Sequence, residues 1–224
     1  MPPFADRASA GEQLAATVAS KLAQCPQPRA AAVYALPRGG IATAVPVARA
    51  IGCPLSVVAA KKIALPPNEE LALGAIAADG HHQWGSPSPE AATGASAELE
   101  AAKASAQQKA IEQGQALAPG CPELSPAGKI AILIDDGVAT GMTVAAAARA
   151  LRAQQPSQVW IAAPVAPPEV ARDPPTGCDR AIVLATPQPF LSVGRFYQRF
   201  EQLDAADALA ALEHYNAPYL QASE

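Results

Sequence analysis

The sequence predicts an α/β protein with a mostly parallel sheet flanked by helices. Along its 224 residues, apolar runs alternate with alanine-rich stretches, which is the order in which crossover helices join parallel strands. Two of these runs, AAVYAL at residues 31–36 and IAILI at residues 130–134, are apolar at nearly every position. Strands of that composition are covered on both faces, so a doubly wound sheet is the leading architecture.

The six predicted strands are short and rich in apolar residues. They cover residues 31–36, 55–60, 71–77, 130–134, 159–164 and 180–184. The five predicted helices are rich in alanine, a strong helix former. They cover residues 11–23, 43–51, 97–115, 143–154 and 204–213. With Thr43 as the N-cap of the second helix, Pro46 would fall in the first turn, where a missing N–H costs little.

Composition limits the function classes. The chain is 50% hydrophobic and 16% charged with a net charge of −4, so we expect one globular domain over residues 1–224 and no nucleic-acid partner. The N-terminus lacks the pattern of a signal peptide, and apolar runs stop well short of the roughly 20 residues of a membrane span. We therefore predict a cytoplasmic protein without membrane contact.

Metal and redox frameworks are not indicated by the cysteine and histidine pattern. The four cysteines occur singly and form no C-x-x-C pair, so reduced thiols are the preferred interpretation.

Residues 79–97 are polar and rich in Pro, Gly and Ser, which predicts a long loop. His81 and His82 lie in that loop without a partner at ligand spacing, and we expect solvated histidines there rather than a metal site.

The stretch ILIDDGVATGMT at residues 132–143, called the acidic loop below, joins a predicted strand to a predicted helix. A phosphate at that helix N-terminus would meet unpaired N–H groups and the hydroxyls of Thr140 and Thr143. Gly141 would let the backbone close tightly around it. The lysine of a P-loop is absent, so the pattern favours a different phosphate ligand.

Asp135 and Asp136 indicate which kind of phosphate compound would bind there. Two carboxylates a few Å from a phosphate repel it unless they face hydrogen-bond donors or a cation. A pair of vicinal hydroxyls is the natural partner, and ribose 5-phosphate offers hydroxyls and phosphate at the required separation.

Two further segments supply positive charge. The stretch LPRGG at residues 36–40, called the glycine loop below, combines Arg38 with Gly39 and Gly40, so a guanidinium and backbone N–H groups can converge on a polyanion. Lys61 and Lys62 follow the run LSVVAA and are predicted to open a third loop. The alternative for these lysines is a solvated pair beside nearby glutamates.

These motifs resemble those of the type I phosphoribosyltransferases. The acidic loop is similar to that family's motif for 5-phospho-α-D-ribose 1-diphosphate (PRPP). F-x-D-R, ALPRGG, KK, ELALGAIA, DDGVATGMT, APVAPPE and ATPQPFLSVGRFY also occur in the order typical of a bacterial subgroup. The resemblance extends from Phe4 to about Leu212 and implies the family's fold, with a small hood over the site. We expect that hood to form from N-terminal residues and about residues 185–224.

The resemblance implies a role for each site residue. Asp135 and Asp136 would hold the ribose hydroxyls. The 5-phosphate would be wrapped by Ala139, Thr140, Gly141, Met142 and Thr143. Diphosphate would be bound by Arg38, Gly39, Gly40, Lys61 and Lys62. A cis peptide is further implied between Arg38 and Gly39.

The aromatic stretch PFLSVGRFYQRF is expected to contribute to the hood. Phe196 and Tyr197 would stack on the acceptor base, whereas Phe190 and Phe200 are expected to form the hood core. Membership of the hood core is the open alternative for Phe196 and Tyr197 as well.

The implied reaction transfers the 5-phosphoribosyl group from PRPP to a nitrogen acceptor, expected to be a nucleobase, with release of diphosphate. Asp135, Asp136, Arg38 and Lys62 would be catalytic. Mg²⁺ would be held mainly through PRPP, with the two aspartates as possible ligands. A homodimer with a role in nucleoside metabolism is expected. The alternatives are a regulator that senses nucleotides or PRPP without turnover, and an unrelated doubly wound nucleotide-binding domain.

Overall fold

The computed structural model describes residues 3–25, 30–65, 72–86, 88–89, 96–201 and 203–221. The helices are α1 (Arg7–Ala23), α2 (Gly39–Ile51), α3 (Ala97–Leu117), α4 (Met142–Ala153), α5 (Pro168–Arg172) and α6 (Ala205–Leu220). The strands are β1 (Ala31–Ala35), β2 (Leu55–Val57), β3 (Ala60–Ile63), β4 (Gly74–Ala77), β5 (His82–Trp84), β6 (Ile130–Ile134), β7 (Gln158–Val165) and β8 (Arg180–Ala185). Short 3₁₀ turns occur at Ala118–Gly120 and Val193–Phe196.

A five-stranded parallel sheet forms the centre of the fold. Its order is β2-β1-β6-β7-β8, and every neighbouring pair is parallel. The last residue of β1, Ala35, lies opposite Ile134, and Ile134 lies opposite Ala162 of β7. The carboxyl ends of the central strands therefore meet at one edge, and the predicted α/β class with a mostly parallel sheet is confirmed.

Apolar side chains cover both faces of this sheet. Along β6, Ala131 and Leu133 belong to the core shared with α4, while Ile132 and Ile134 belong to the core shared with α1 and α2. All five residues of β6 are buried. Each fully buried Ile or Leu side chain contributes roughly 1.5–3 kcal/mol, which explains why a central strand without polar residues is favoured.

A second, antiparallel sheet of β3, β4 and β5 packs against α3 and α4. The predicted strand 55–60 is in fact two strands, because the chain leaves β1 after Val57 and pairs with β4 from Ala60. The prediction of a loop at Lys61 and Lys62 is wrong, since both lie in β3 opposite Ile76 and Ala75. The predicted long loop likewise contains β5, which pairs with β4.

Helix α2 begins at Gly39, four residues before the predicted N-cap at Thr43. The glycine loop itself forms the first turn, because the Gly40 N–H donates to the Leu36 carbonyl at 3.1 Å. Pro46 therefore lies in the helix interior and not in the first turn. A Cβ added to Gly11 of α1 would lie 3.1 Å from Pro46 Cγ, so the two helices cross in close contact.

The other helix predictions differ mainly at the ends. Helix α1 starts at Arg7, before the predicted position 11, because Asp6 caps it: the Ser9 N–H donates to Asp6 Oδ1 at 2.9 Å. Helices α3 and α4 begin within one residue of the predicted positions, and α6 continues to Leu220, beyond the predicted end at 213.

In the part of the chain that is described, no helix combines the length and apolar character that crossing a bilayer requires.

Helix α6 covers the edge strand β2 through Asn216, which is fully buried. Asn216 Oδ1 accepts the Leu55 N–H at 3.0 Å, and Nδ2 donates to the Leu55 and Gly120 carbonyls at 2.7 Å each. The amide thus takes the place of a neighbouring strand, which satisfies backbone groups that an edge would otherwise expose.

Asn216→Leu is expected to lower the free energy of unfolding by about 3 kcal/mol, because it leaves buried backbone groups without partners. Urea titration followed by circular dichroism measures this loss. Gln108→Leu is the control: Gln108 is exposed on α3, so that change should stay within about 0.5 kcal/mol. A loss below about 1 kcal/mol for Asn216→Leu would contradict the edge-capping role.

Candidate functional site

The glycine loop and the acidic loop are in direct contact at the carboxyl edge of the parallel sheet. The Leu36 N–H donates to the Ile134 carbonyl at 2.8 Å, which continues the β1–β6 pairing beyond the strand ends. A Cβ on Gly39 would lie 2.0 Å from Asp136 Oδ2, and a Cβ on Gly40 would lie 2.7 Å from the Ile134 carbonyl oxygen. A larger residue at position 40 would push the two loops apart, because its neighbours there are backbone atoms, whereas a larger residue at position 39 would displace the Asp136 carboxylate.

The paired aspartates lie at the centre of this contact and are partly buried. The Asp136 N–H donates to Asp135 Oδ1 at 2.8 Å. Burial raises the pKa of Asp135 well above its ordinary value, and the neighbouring Asp136 charge raises it further. Burial also raises the pKa of Asp136, although hydrogen bonding to Arg7 opposes this shift.

Arg7 is the residue that the sequence analysis did not assign to the site. Its Nε lies 2.6 Å from Asp136 Oδ2, and its Nη1 donates to the Glu201 carbonyl at 2.7 Å. The guanidinium carbon also lies 3.8 Å from the centroid of the Phe200 ring, which adds a cation–π contact. Arg7 is part of the F-x-D-R landmark, but that pattern carries no information about a partner 129 residues away.

The turn after the aspartates leads into α4, whose N-cap Gly141 has φ +74°. The Val138 N–H donates to the Val165 carbonyl at 2.9 Å, which anchors the turn to the end of β7. Ala139 and Thr140 are exposed, and the first helical residues Met142 and Thr143 follow directly. The five residues predicted to wrap a 5-phosphate thus lie at the positive end of a helix dipole, with Ala139 and Thr140 exposed and Gly141 buried.

Arg38 precedes α2 as its N-cap residue, and the peptide bond between Pro37 and Arg38 is cis. The expected cis bond between Arg38 and Gly39 is therefore wrong by one residue. Lys61 is half-buried in β3, and burial lowers its pKa, with the positive charges of Arg38 and Lys109 adding to the shift. Arg38 and Lys61 are thus close enough for their charges to interact.

Lys62 is exposed and lines a cavity of about 550 Å³ between β3 and α3. Glu98 and Lys109 of α3 line the same cavity. Of the two lysines predicted to contact diphosphate, Lys61 is therefore the one associated with Arg38, while Lys62 faces a cavity with charges of both signs.

The aromatic residues of the predicted hood pack on the N-terminal segment. The Phe4 N–H donates to the Phe196 carbonyl at 3.1 Å, and the rings of Phe190 and Phe196 stack with centroids 5.4 Å apart. Tyr197 is 4% exposed, contacts the rings of Phe4 and Phe200, and donates through its hydroxyl to the Asp136 carbonyl at 2.5 Å. Stacking of Tyr197 on an acceptor base does not fit this packing, because the ring is already enclosed.

Carboxylate, histidine and cysteine side chains do not gather into a metal centre in the described ranges, where no group of three or more could hold an ion. His81 Nδ1 lies 3.0 Å from Asp79 Oδ2, and both side chains are exposed. Asp135 and Asp136 supply hard oxygen ligands of the type that Mg²⁺ prefers. Because two carboxylates do not fill the coordination shell of this ion, its other ligands would come from a bound substrate and water.

Comparison with known proteins identifies the family of the chain. Residues 7–184 match the family described as phosphoribosyl transferase domain. Two Mycobacterium tuberculosis proteins, from strains CDC 1551 and H37Rv, carry the provisional name of phosphoribosyl transferase. Each is 32% identical to this chain over 225 residues. The alignments cover 99% of this chain but 49% of each relative, so the chain spans about half their length.

A solved structure, protein TT1426 from Thermus thermophilus, is 33% identical with a TM-score of 0.73. That alignment covers 95% of this chain and 98% of the Thermus chain. The family match covers most of the sequence and includes the glycine loop, β3 and the acidic loop. The chain therefore belongs to the phosphoribosyltransferase family of transferase enzymes.

Proposed function

We propose that this chain transfers the 5-phosphoribosyl group of PRPP to a nitrogen acceptor and releases diphosphate. The observation that carries the proposal is the contact between the glycine loop and Asp136, where a Cβ on Gly39 would lie 2.0 Å from Oδ2. Two carboxylates, an anion-binding turn and Arg38 thus surround one edge of the sheet. PRPP carries hydroxyls, a 5-phosphate and a diphosphate, which match these three features in chemical type.

In the proposed reaction the acceptor nitrogen forms a bond to C1 as the bond from C1 to the diphosphate oxygen breaks. Diphosphate leaves with the electron pair, and the ribose passes through an oxocarbenium-like state. Asp135 and Asp136 would accept hydrogen bonds from the ribose hydroxyls and favour the positive ring. Arg38 and Lys61, whose charges interact, would stabilise the negative charge that grows on the diphosphate.

Bound Mg²⁺ would supply positive charge that stabilises the departing diphosphate. Asp135 and Asp136 are the residues of this chain that would hold or orient the ion.

The role of Lys62 as a catalytic group stays a prediction, which a Lys62→Ala variant would test separately from Lys61.

The acceptor is proposed to be a nucleobase. A cavity of about 590 Å³ beyond the carboxyl ends of β7 and β8 supports this choice. Its lining combines apolar and polar groups from two loops, namely Pro167, Pro168, Glu169, Gln188, Pro189 and Phe190. Phe190 stacks on Phe196, so a flat heterocycle could meet an aromatic wall together with a carboxylate and an amide.

Diphosphate release tests the proposal directly. Purified protein with PRPP and Mg²⁺ is expected to release diphosphate when one member of a panel of purine and pyrimidine bases is added. Calorimetry should show PRPP binding in the same buffer. Binding without acceptor-dependent release would favour a PRPP-sensing regulator, and the absence of binding would overturn the donor assignment.

The homodimer and the cytoplasmic location stay predictions. Sedimentation analysis would test the homodimer.

A further inference from the structure

We infer that Arg7 is a positioning residue that orients Asp136 for the ribose hydroxyls of the donor. The inference rests on the proposed function and assigns part of the donor site to the N-terminal segment. Its basis is the contact between Arg7 Nε and Asp136 Oδ2 at 2.6 Å. The two side chains are 11% and 14% exposed, so solvent screens this ion pair only weakly.

Asp136 is held from several directions. Arg7 binds Oδ2, the Tyr197 hydroxyl donates to its carbonyl at 2.5 Å, and its own N–H donates to Asp135 Oδ1 at 2.8 Å. The Cα of Gly39 lies against Oδ2 on a further side, where a Cβ would be 2.0 Å away. With Oδ2 engaged in this way, Oδ1 is the oxygen that can accept a ribose hydroxyl.

Arg7 is itself rigidly placed. Its Nη1 donates to the Glu201 carbonyl at 2.7 Å, and the Phe200 ring lies 3.8 Å from its guanidinium carbon. A planar guanidinium held on one face by an aromatic ring and at one edge by a carbonyl has little freedom to leave the carboxylate. Its position therefore fixes the rotamer of Asp136 and does not simply follow it.

Donor binding by Arg7→Gln tests the inference. Calorimetry with PRPP and Mg²⁺ at pH 7 should show at least tenfold weaker binding than in the wild type, because Arg7 no longer holds Asp136 toward the ribose hydroxyl. Arg7→Lys should restore part of the affinity, since it keeps the positive charge beside Asp136 without the planar fork.

Arg199→Gln is the matched control. Arg199 also joins the N-terminal segment to the hood, through Asp6 Oδ2 at 2.5 Å, but it does not contact Asp136. This variant should bind PRPP within twofold of the wild type. Equal losses in Arg7→Gln and Arg199→Gln would overturn the inference, because general loosening of the N-terminal segment would then explain both.

Wild-type PRPP affinity in Arg7→Gln would also overturn the inference, because Asp136 would then serve the donor without Arg7. In that case the wild type still binds PRPP, so the proposed function stands while the inference fails. Failure of the wild type to bind PRPP would instead remove the ribose-binding role together with the proposed function.

Discussion

Asp135→Asn is expected to abolish productive donor binding and, at neutral pH, to stabilise the fold. The asparagine keeps a carbonyl oxygen that can accept the Asp136 N–H, which is 2.8 Å from Asp135 Oδ1 in the wild type. It removes one of two adjacent, partly buried charges, so the cost of burying that charge disappears. It also removes the acceptor-only group proposed to hold a ribose hydroxyl, and a loss of at least about 100-fold in kcat/KM is expected.

The stability gain should depend on pH. Because the pKa of Asp135 is raised in the folded state, the wild type is relatively stable below the unfolded pKa of about 3.9 and loses that stability as pH rises through the folded value. The variant carries no such group. Its advantage should be close to zero at pH 4 and should grow as pH rises toward 8.

Thermal unfolding at both pH values measures this advantage, and Asp173→Asn is the control. Asp173 carries an exposed carboxylate, so its removal should give no gain that grows with pH. A variant Asp135→Asn that is less stable than the wild type at pH 8 would contradict the assignment of Asp135 as a destabilising buried acid.

Gly39→Ala is expected to have the second large effect. The added Cβ would lie 2.0 Å from Asp136 Oδ2, 2.8 Å from Asp136 Cγ and 3.2 Å from Arg7 Nε. The Asp136 carboxylate would have to move to make room for this Cβ, and that movement would disturb its ion pair with Arg7. We expect kcat/KM to fall at least about 100-fold, mainly through weaker PRPP binding, as measured by diphosphate release and calorimetry.

Gly114→Ala separates this steric effect from a general effect of replacing glycine. Gly114 lies inside α3, and a Cβ there would meet only Ala59 Cβ, at the ordinary distance of 3.9 Å. The control should gain about 0.5–1 kcal/mol from better helix propensity and keep its activity. Full activity in Gly39→Ala would show that the glycine loop does not need to approach Asp136 as closely as described.

Local patterns were sufficient for much of the fold. Strand β6 begins and ends as predicted, because five consecutive apolar residues followed by two aspartates mark both its burial and its end. Helix α3 begins at the predicted Ala97, where Ser96 caps it by accepting the Leu99 N–H at 3.2 Å. These features depend on neighbours in the chain, so they are readable from the order of residues.

Backbone hydrogen bonds decided two features that were predicted wrongly. Lys61 and Lys62 resemble a polar loop, but their backbones pair with Ile76 and Ala75 of β4. The start of α2 followed from a hydrogen bond inside the glycine loop, which overrides the preference for Thr43 as a cap. In the first case a partner from another strand outweighed side-chain preference, and in the second a turn within the glycine loop did.

The sequence by itself determined the α/β class, and its acid pair before a glycine-containing turn predicts the ligand types of the site from local order alone. Only the tertiary structure decided how these groups are held. Arg7 and Asp136 are 129 positions apart, and Tyr197 reaches Asp136 across 61 positions. Such contacts depend on how the N-terminal segment and the aromatic stretch pack over the sheet edge, and burial there raises the pKa of Asp136.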